Sequence, residues 1–190
     1  MKAKLSPPLA AIGCVAGYVL LSCAAGASDA AALLVTAAQA VLALALAHMA
    51  GLGRQALGLC RPHDDRAVAI AAILWAALAA AACAVLPVAS APPADALDIV
   101  RVCFAAPVAE ELVFRGLVLA GLRTRLDDRA AIAAQALLFA ALHGTPAAML
   151  YALGMGLVFS LAAVRTGSIW PGITLHIVNN GLLWAIGRLA

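Results

Sequence analysis

The chain has 190 residues, of which 66% are hydrophobic and only 11% charged, against roughly 25% charged in an ordinary soluble domain. Twelve Lys and Arg against nine Asp and Glu leave a net charge of +3, too small a surplus for a phosphate-binding surface. A soluble globular protein, a disordered chain and a nucleic-acid partner are excluded; at about 20 residues per transmembrane helix, residues 1–190 are expected to form one all-α, polytopic membrane domain.

Seven apolar stretches stand out in chain order: Leu9–Ala27, Ala30–Ala50, Ala67–Ala89, Leu97–Leu122, Ala130–His143, Pro146–Val164 and Ile169–Leu189. Each is read as a span of a helical bundle, the fifth being short enough to be partly re-entrant. Alanine supplies 51 residues, and small side chains permit close helix approach. The five cysteines (Cys14, Cys23, Cys60, Cys83 and Cys103) are scattered without a CxxC pair, so they are read as small apolar residues rather than a disulfide framework.

Lys2, Lys4, Arg54, Arg61, Arg66, Arg123, Arg125, Arg129 and Arg165 fall on one side if every stretch crosses once, with Arg188, Asp29, Asp95 and Asp98 opposite. The positive-inside rule then places the N-terminus in the cytoplasm. The alanine-rich composition points to a GC-rich bacterial genome, and the expected location is the bacterial inner membrane. Lys2, Lys4, the first apolar run and Ala25-Gly26-Ala27 also fit a cleaved signal peptide. Gly13 and Gly17, at GxxxG spacing, favour a retained and packed first helix.

Charge inside a span costs roughly 2.5–3.5 kcal/mol on insertion scales and needs a reason. The fourth stretch holds Glu110, Glu111 and Arg115. Glu111 and Arg115, four apart, can pair on one helix face, which suits a structural lock. Glu110 points about 100° away and has no partner on its own helix. A lock does not need this second carboxylate, with its repulsion and desolvation. The fifth stretch ends Phe139-x-x-x-His143, and the seventh holds His176-x-x-x-Asn180. His48 and His63 fall at a helix end and in a loop and are given no role. At 1.5 Å per residue, Glu110, His143 and His176 each lie about 17–21 Å from the arginines at the cytoplasmic ends, so three helices place polar groups in one layer.

One carboxylate, two imidazoles and an amide suit peptide hydrolysis within the membrane. Glu110 could be the general base on water, His143 could hold that water, and His176 and Asn180 could stabilise the oxyanion. Alternatively, Glu110, His143 and His176 form a His₂Glu zinc set with an open water position. HExxH, a GxSG-type serine segment and GxGD are absent.

Glu110-Glu111-x-x-x-Arg115, Phe139-x-x-x-His143 and His176-x-x-x-Asn180, in that order, resemble the CPBP family of CAAX prenyl endopeptidases and bacteriocin-processing or self-immunity proteins. Phe114-Arg115-Gly116 and Trp170-Pro171-Gly172 stand in supporting places. The resemblance covers about residues 97–189, and Leu57–Pro62 looks like the family's loop. It implies an intramembrane endopeptidase with Glu110 activating water, His143 its partner, His176 and Asn180 stabilising the oxyanion, and Glu111 and Arg115 supporting. It also favours a metal-free glutamate mechanism, with zinc as the open alternative. The expected partners are the lipid bilayer and a membrane-anchored protein or peptide, whose C-terminal sorting signal the enzyme would process. The competing class is a non-catalytic membrane protein, an immunity factor or small transporter, with the polar residues as helix glue or a proton path. Repeats or paired broken helices, expected of a transporter, are not evident.

Overall fold

The computed structural model describes residues 5–24, 28–85 and 95–189. Seven helical rods account for most of them, and no strand occurs among the described residues. They are α1 (Pro7–Ala24), α2 (Asp29–Met49), α3 (Asp65–Val85), α4, α5 (Asp128–Ala141), α6 (Pro146–Thr166) and α7 (Trp170–Leu189). The fourth rod, α4, is composite. α-Helical Ala96–Val100, π-helical Arg101–Ala105, α-helical Ala106–Glu111, π-helical Leu112–Val118 and α-helical Leu119–Leu122 follow one another without a break.

These ends lie within a few residues of the apolar stretches because polar residues cap them. Ser28, Asp127 and Thr145 accept from the backbone N–H groups of Ala31, Ala130 and Ala148, satisfying amides that have no intrahelical partner. Gly167 ends α6 in the left-handed conformation at φ 65°, which glycine adopts without a Cβ penalty. Ala25-Gly26-Ala27 and the end of the third apolar stretch, residues 86–89, lie outside the described residues.

The protein is integral to the membrane, but its helices differ in how they suit one. α2, α3 and α6 are each long and apolar enough to cross by length and composition alone. α1 is apolar and somewhat shorter. α4 carries five charged residues, namely Asp98, Arg101, Glu110, Glu111 and Arg115. α5 has 14 residues, or about 21 Å of helix, less than a hydrocarbon core of about 30 Å. Near the start of α4 the Arg101 guanidinium is paired with Asp98.

α4 is the hub, packing against α1, α2, α5, α6 and α7. Small residues set the close approaches. A Cβ on Gly17 would overlap Leu42 of α2, one on Gly121 would lie 2.8 Å from the Pro7 carbonyl, and one on Gly156 would lie 2.9 Å from Ala136. Of the GxxxG pair, Gly17 makes such an approach and Gly13 does not, and α1 packs with Ala10 and Cys14 fully buried. All five cysteines are free. Buried Ser160 donates to Gln135, joining α6 to α5.

The α2–α3 loop docks on the turn between α6 and α7. Ile169 donates to the Gly58 carbonyl at 3.0 Å, and His63 donates through its backbone to Thr166 at 3.1 Å. The Ser168 hydroxyl donates to the Cys60 carbonyl at 2.6 Å. Gly58, at φ 68°, allows this approach, since a Cβ there would lie 3.0 Å from Ile169. The segment Leu57–Pro62 thus fixes the start of α7, the helix that carries His176.

Candidate active site

The local register of α4 sets the site. In its first π-turn the Ala106 N–H reaches back five residues to the Arg101 carbonyl. The next residue, Pro107, has no N–H, so the Val102 carbonyl loses its natural donor. Asn180 of α7 supplies one, its Nδ2 donating to Val102 O at 2.8 Å. An interrupted helix thereby becomes a specific α4–α7 contact, as buried backbone carbonyls require.

Glu111 lies on the closed side of α4. Its side chain is fully buried, as is that of Arg115, whose Nη1 donates to Glu111 Oε1 at 2.8 Å. The guanidinium also lies 4.3 Å from the ring centre of Phe139 and 5.5 Å from that of Phe159, within cation–π range. His176 Nδ1 is 3.0 Å from the same Glu111 oxygen. A carboxylate only accepts, so Nδ1 carries the proton and donates. Gly172 leaves room for this carboxylate, because a Cβ there would lie 2.6 Å from Glu111 Oε2. That gives Trp170-Pro171-Gly172 a physical reason.

Glu110 lies on the more open side, its side chain 20% exposed. It has no partner on its own helix, as its spacing requires, but it has two elsewhere. Tyr18 of α1 donates to Glu110 Oε1 at 3.2 Å. His176 Nε2 is 3.8 Å from Oε2, beyond hydrogen-bond length but near enough for one water to touch both. His176 therefore bridges the two neighbouring glutamates, one through each ring nitrogen.

His143 is placed differently from its expected pairing with Glu110. Its Nδ1 lies 2.9 Å from the Phe139 carbonyl and must donate to it, leaving Nε2 with a free lone pair. Its ring packs edge-on to Phe139, 4.8 Å between centres. Phe139 in turn stacks edge-on with His176 at 6.2 Å. Phe139 is thus the apolar wedge between the two imidazoles, and the polar contacts of Glu110 go to His176 and Tyr18 instead. The reason is local: α5 ends at Ala141, and the His143 ring folds back on its own last turn.

Among the described residues no three His, Cys, Asp or Glu side chains converge as a metal-binding group. Glu110 and His176 face each other, but the His143 ring lies on the other side of Phe139 from His176. As placed, Glu110, His143 and His176 do not converge on one metal position.

Two features escape the motifs. Tyr18 lies in the first apolar run, where an aromatic residue carries no signal by itself. Asn179 is buried at a junction of three helices: Trp75 Nε1 of α3 and Tyr151 Oη of α6 both donate to its Oδ1, at 3.2 and 2.5 Å. The doubled Asn179-Asn180 and the presence of Trp75 and Tyr151 in apolar stretches were visible, but their meeting was not.

The model of a protein family described as type II CAAX prenyl endopeptidase, Rce1-like, matches residues 92–182. That segment runs to Leu182 and contains Glu110, Glu111, Arg115, Phe139, His143, His176 and Asn180, whereas Tyr18 and Trp75 lie outside it. No curated protein and no solved structure matches the chain significantly.

Proposed function

We propose that the protein, whose residues 92–182 match the Rce1-like family of type II CAAX prenyl endopeptidases, is a glutamate-dependent endopeptidase that hydrolyses a peptide bond of a membrane-associated protein. The observation that carries this reading is the contact between His176 and two carboxylates of unequal freedom, buried Glu111 at 3.0 Å and half-open Glu110 at 3.8 Å. A helix lock is complete with Glu111, Arg115 and His176. Glu110 adds a second carboxylate facing the imidazole, with its side chain one-fifth exposed.

In this mechanism Glu110 takes a proton from water as the water oxygen bonds to the scissile carbonyl carbon. His143, through its free Nε2, orients that water. The carbonyl oxygen becomes an oxyanion, stabilised by His176 Nε2–H and the Asn180 amide. With Nδ1–H given to Glu111, donation through Nε2 requires a proton on each ring nitrogen of His176. When the carbon–nitrogen bond breaks, Glu110 returns its proton to the leaving amine, giving a carboxylic acid and an amine. Glu111 and Arg115 hold His176 in place.

The substrate proposed is a membrane-anchored protein whose C-terminal sorting signal is removed at the bacterial inner membrane, with the N-terminus of the enzyme in the cytoplasm. Comparing the termini of membrane proteins in cells carrying wild-type enzyme or Glu110→Ala, at matched expression, tests activity and substrate together. A processed terminus that disappears in the variant identifies the cleavage, and identical termini overturn the protease reading. Chelation tests the mechanism: enzyme stripped of metal should cleave that substrate at an undiminished rate. Activity lost on stripping and restored by zinc alone would assign a metal mechanism.

A further inference from the structure

An amide stabilises an oxyanion only if its NH₂ end faces the charge, and an asparagine can turn either way. Around Asn180 the choice is fixed by a chain of groups with defined polarity. The indole N–H of Trp75 is a donor with no acceptor capacity, so the end of Asn179 that meets it must be Oδ1. Tyr151 donates to that same oxygen. The Nδ2 of Asn179 is thereby turned along α7, where it donates to Asn180 Oδ1 at 3.3 Å. The Asn180 Nδ2 is left to donate to the Val102 carbonyl that the π-turn and Pro107 leave free. Flipping Asn180 would set nitrogen against nitrogen at Asn179 and oxygen against oxygen at Val102.

We propose that Asn179 is a positioning residue: anchored by Trp75 and Tyr151, it locks the amide of Asn180 with its NH₂ end forward, one N–H bound to Val102 and the second free for the oxyanion. The proposal rests on the reading of Asn180 as an oxyanion donor. It also gives α3 a part in the chemistry, since Trp75 lies outside the segment that carries the family match.

The test uses purified full-length enzyme and, as probe, the membrane protein whose processed terminus disappears with Glu110→Ala. Asn179→Asp retains an acceptor for Trp75 and Tyr151 but no longer offers Asn180 an amide donor. Its kcat should fall by about tenfold or more, short of the roughly 10²–10³-fold loss expected for Asn180→Ala. KM should stay within about twofold, as for an interaction made only in the transition state. In an Asn180→Ala background the same substitution should cost nothing further. Where Asn179→Asp does not fold, Trp75→Phe combined with Tyr151→Phe, which frees Asn179 to turn, carries the same expectations. Equal losses in both backgrounds overturn the relay, because a general defect acts whether or not Asn180 is present. A fully active double Phe variant beside an impaired Asn180→Ala overturns the relay alone. Full activity of Asn180→Ala overturns the oxyanion reading and the relay with it.

Discussion

The two sides of α4 at residues 110 and 111 carry the same side chain in opposite settings. Glu111 is sealed from solvent, paired with Arg115 and in contact with His176. Glu110 is one-fifth exposed, bound by a single tyrosine hydroxyl and set just beyond hydrogen-bond length from His176. The difference teaches that the buried side holds the imidazole and the open side can use it. A buried ion pair contributes little net stability but is costly to break, which suits a holder. A carboxylate with spare acceptor capacity suits a base.

The comparison breaks first at Glu110. Glu110→Gln should lower the cleavage rate by about 10²–10⁴-fold, the range for loss of a general base, and leave the melting temperature in detergent unchanged. An active variant would show that Glu110 is not the base, and an unstable one would show that the open side also holds the fold.

On the closed side the order of effects reverses. Arg115→Ala leaves Glu111 buried without its cation and should cost about 3–5 kcal/mol, read as reduced thermal stability and protein level, with activity lost in consequence. Removing both charges, Glu111→Gln with Arg115→Met, should restore stability more than activity, because His176 loses its anionic acceptor. A fully stable but inactive Arg115→Ala protein would place Arg115 in contact with substrate.

Gly172→Ala sharpens the same point with one methyl group. The added Cβ would lie 2.6 Å from Glu111 Oε2, and that oxygen belongs to a carboxylate already held by Arg115 and His176. Overpacking of about 1–3 kcal/mol is expected, so the melting temperature should drop measurably. An unchanged melting temperature would mean that the Glu111 carboxylate has room to move.

The smallest expected effect is at Tyr18. Tyr18→Phe deletes the hydroxyl that donates to Glu110 while keeping the ring, which packs edge-on to Phe114 at 5.5 Å. At 3.2 Å and to a partly exposed carboxylate, this bond is expected to contribute about 0.5–1.5 kcal/mol. The change should therefore appear as a change of about tenfold or less in cleavage rate, with only a small drop in melting temperature. No kinetic change would confine Glu110's functional partners to the matched half of the chain.

Much of this was legible beforehand, for definite reasons. Glu111 and Arg115 lie four apart on one helix, so their pairing follows from the helical repeat alone. That Glu110 and His176 share a layer followed from depth, because the two residues lie at similar distances from the same end of antiparallel helices; that they meet did not. His143 satisfied the same depth argument, yet its Nδ1 is taken up by the Phe139 carbonyl of its own helix, since depth fixes height and not rotation. Tyr18, Trp75 and Tyr151 were illegible as site residues because a lone aromatic in an apolar run is ordinary core material until a partner across the bundle is known. The π-turn was half legible: Pro107 marks a lost N–H, but which carbonyl stays free depends on whether the preceding turn is α or π.

The sequence by itself determined the membrane setting, the seven helices and the depth of their polar residues, because composition, caps and the 3.6-residue repeat act within each segment. Only the tertiary structure decided that His176 joins the locked glutamate, that α1 supplies a tyrosine to the other, and which way the Asn180 amide points. Those outcomes depend on groups far apart in the chain, such as Tyr18 and Glu110 or Trp75 and Asn179. Hydrogen-bond polarity between such groups is fixed when the helices meet and not before.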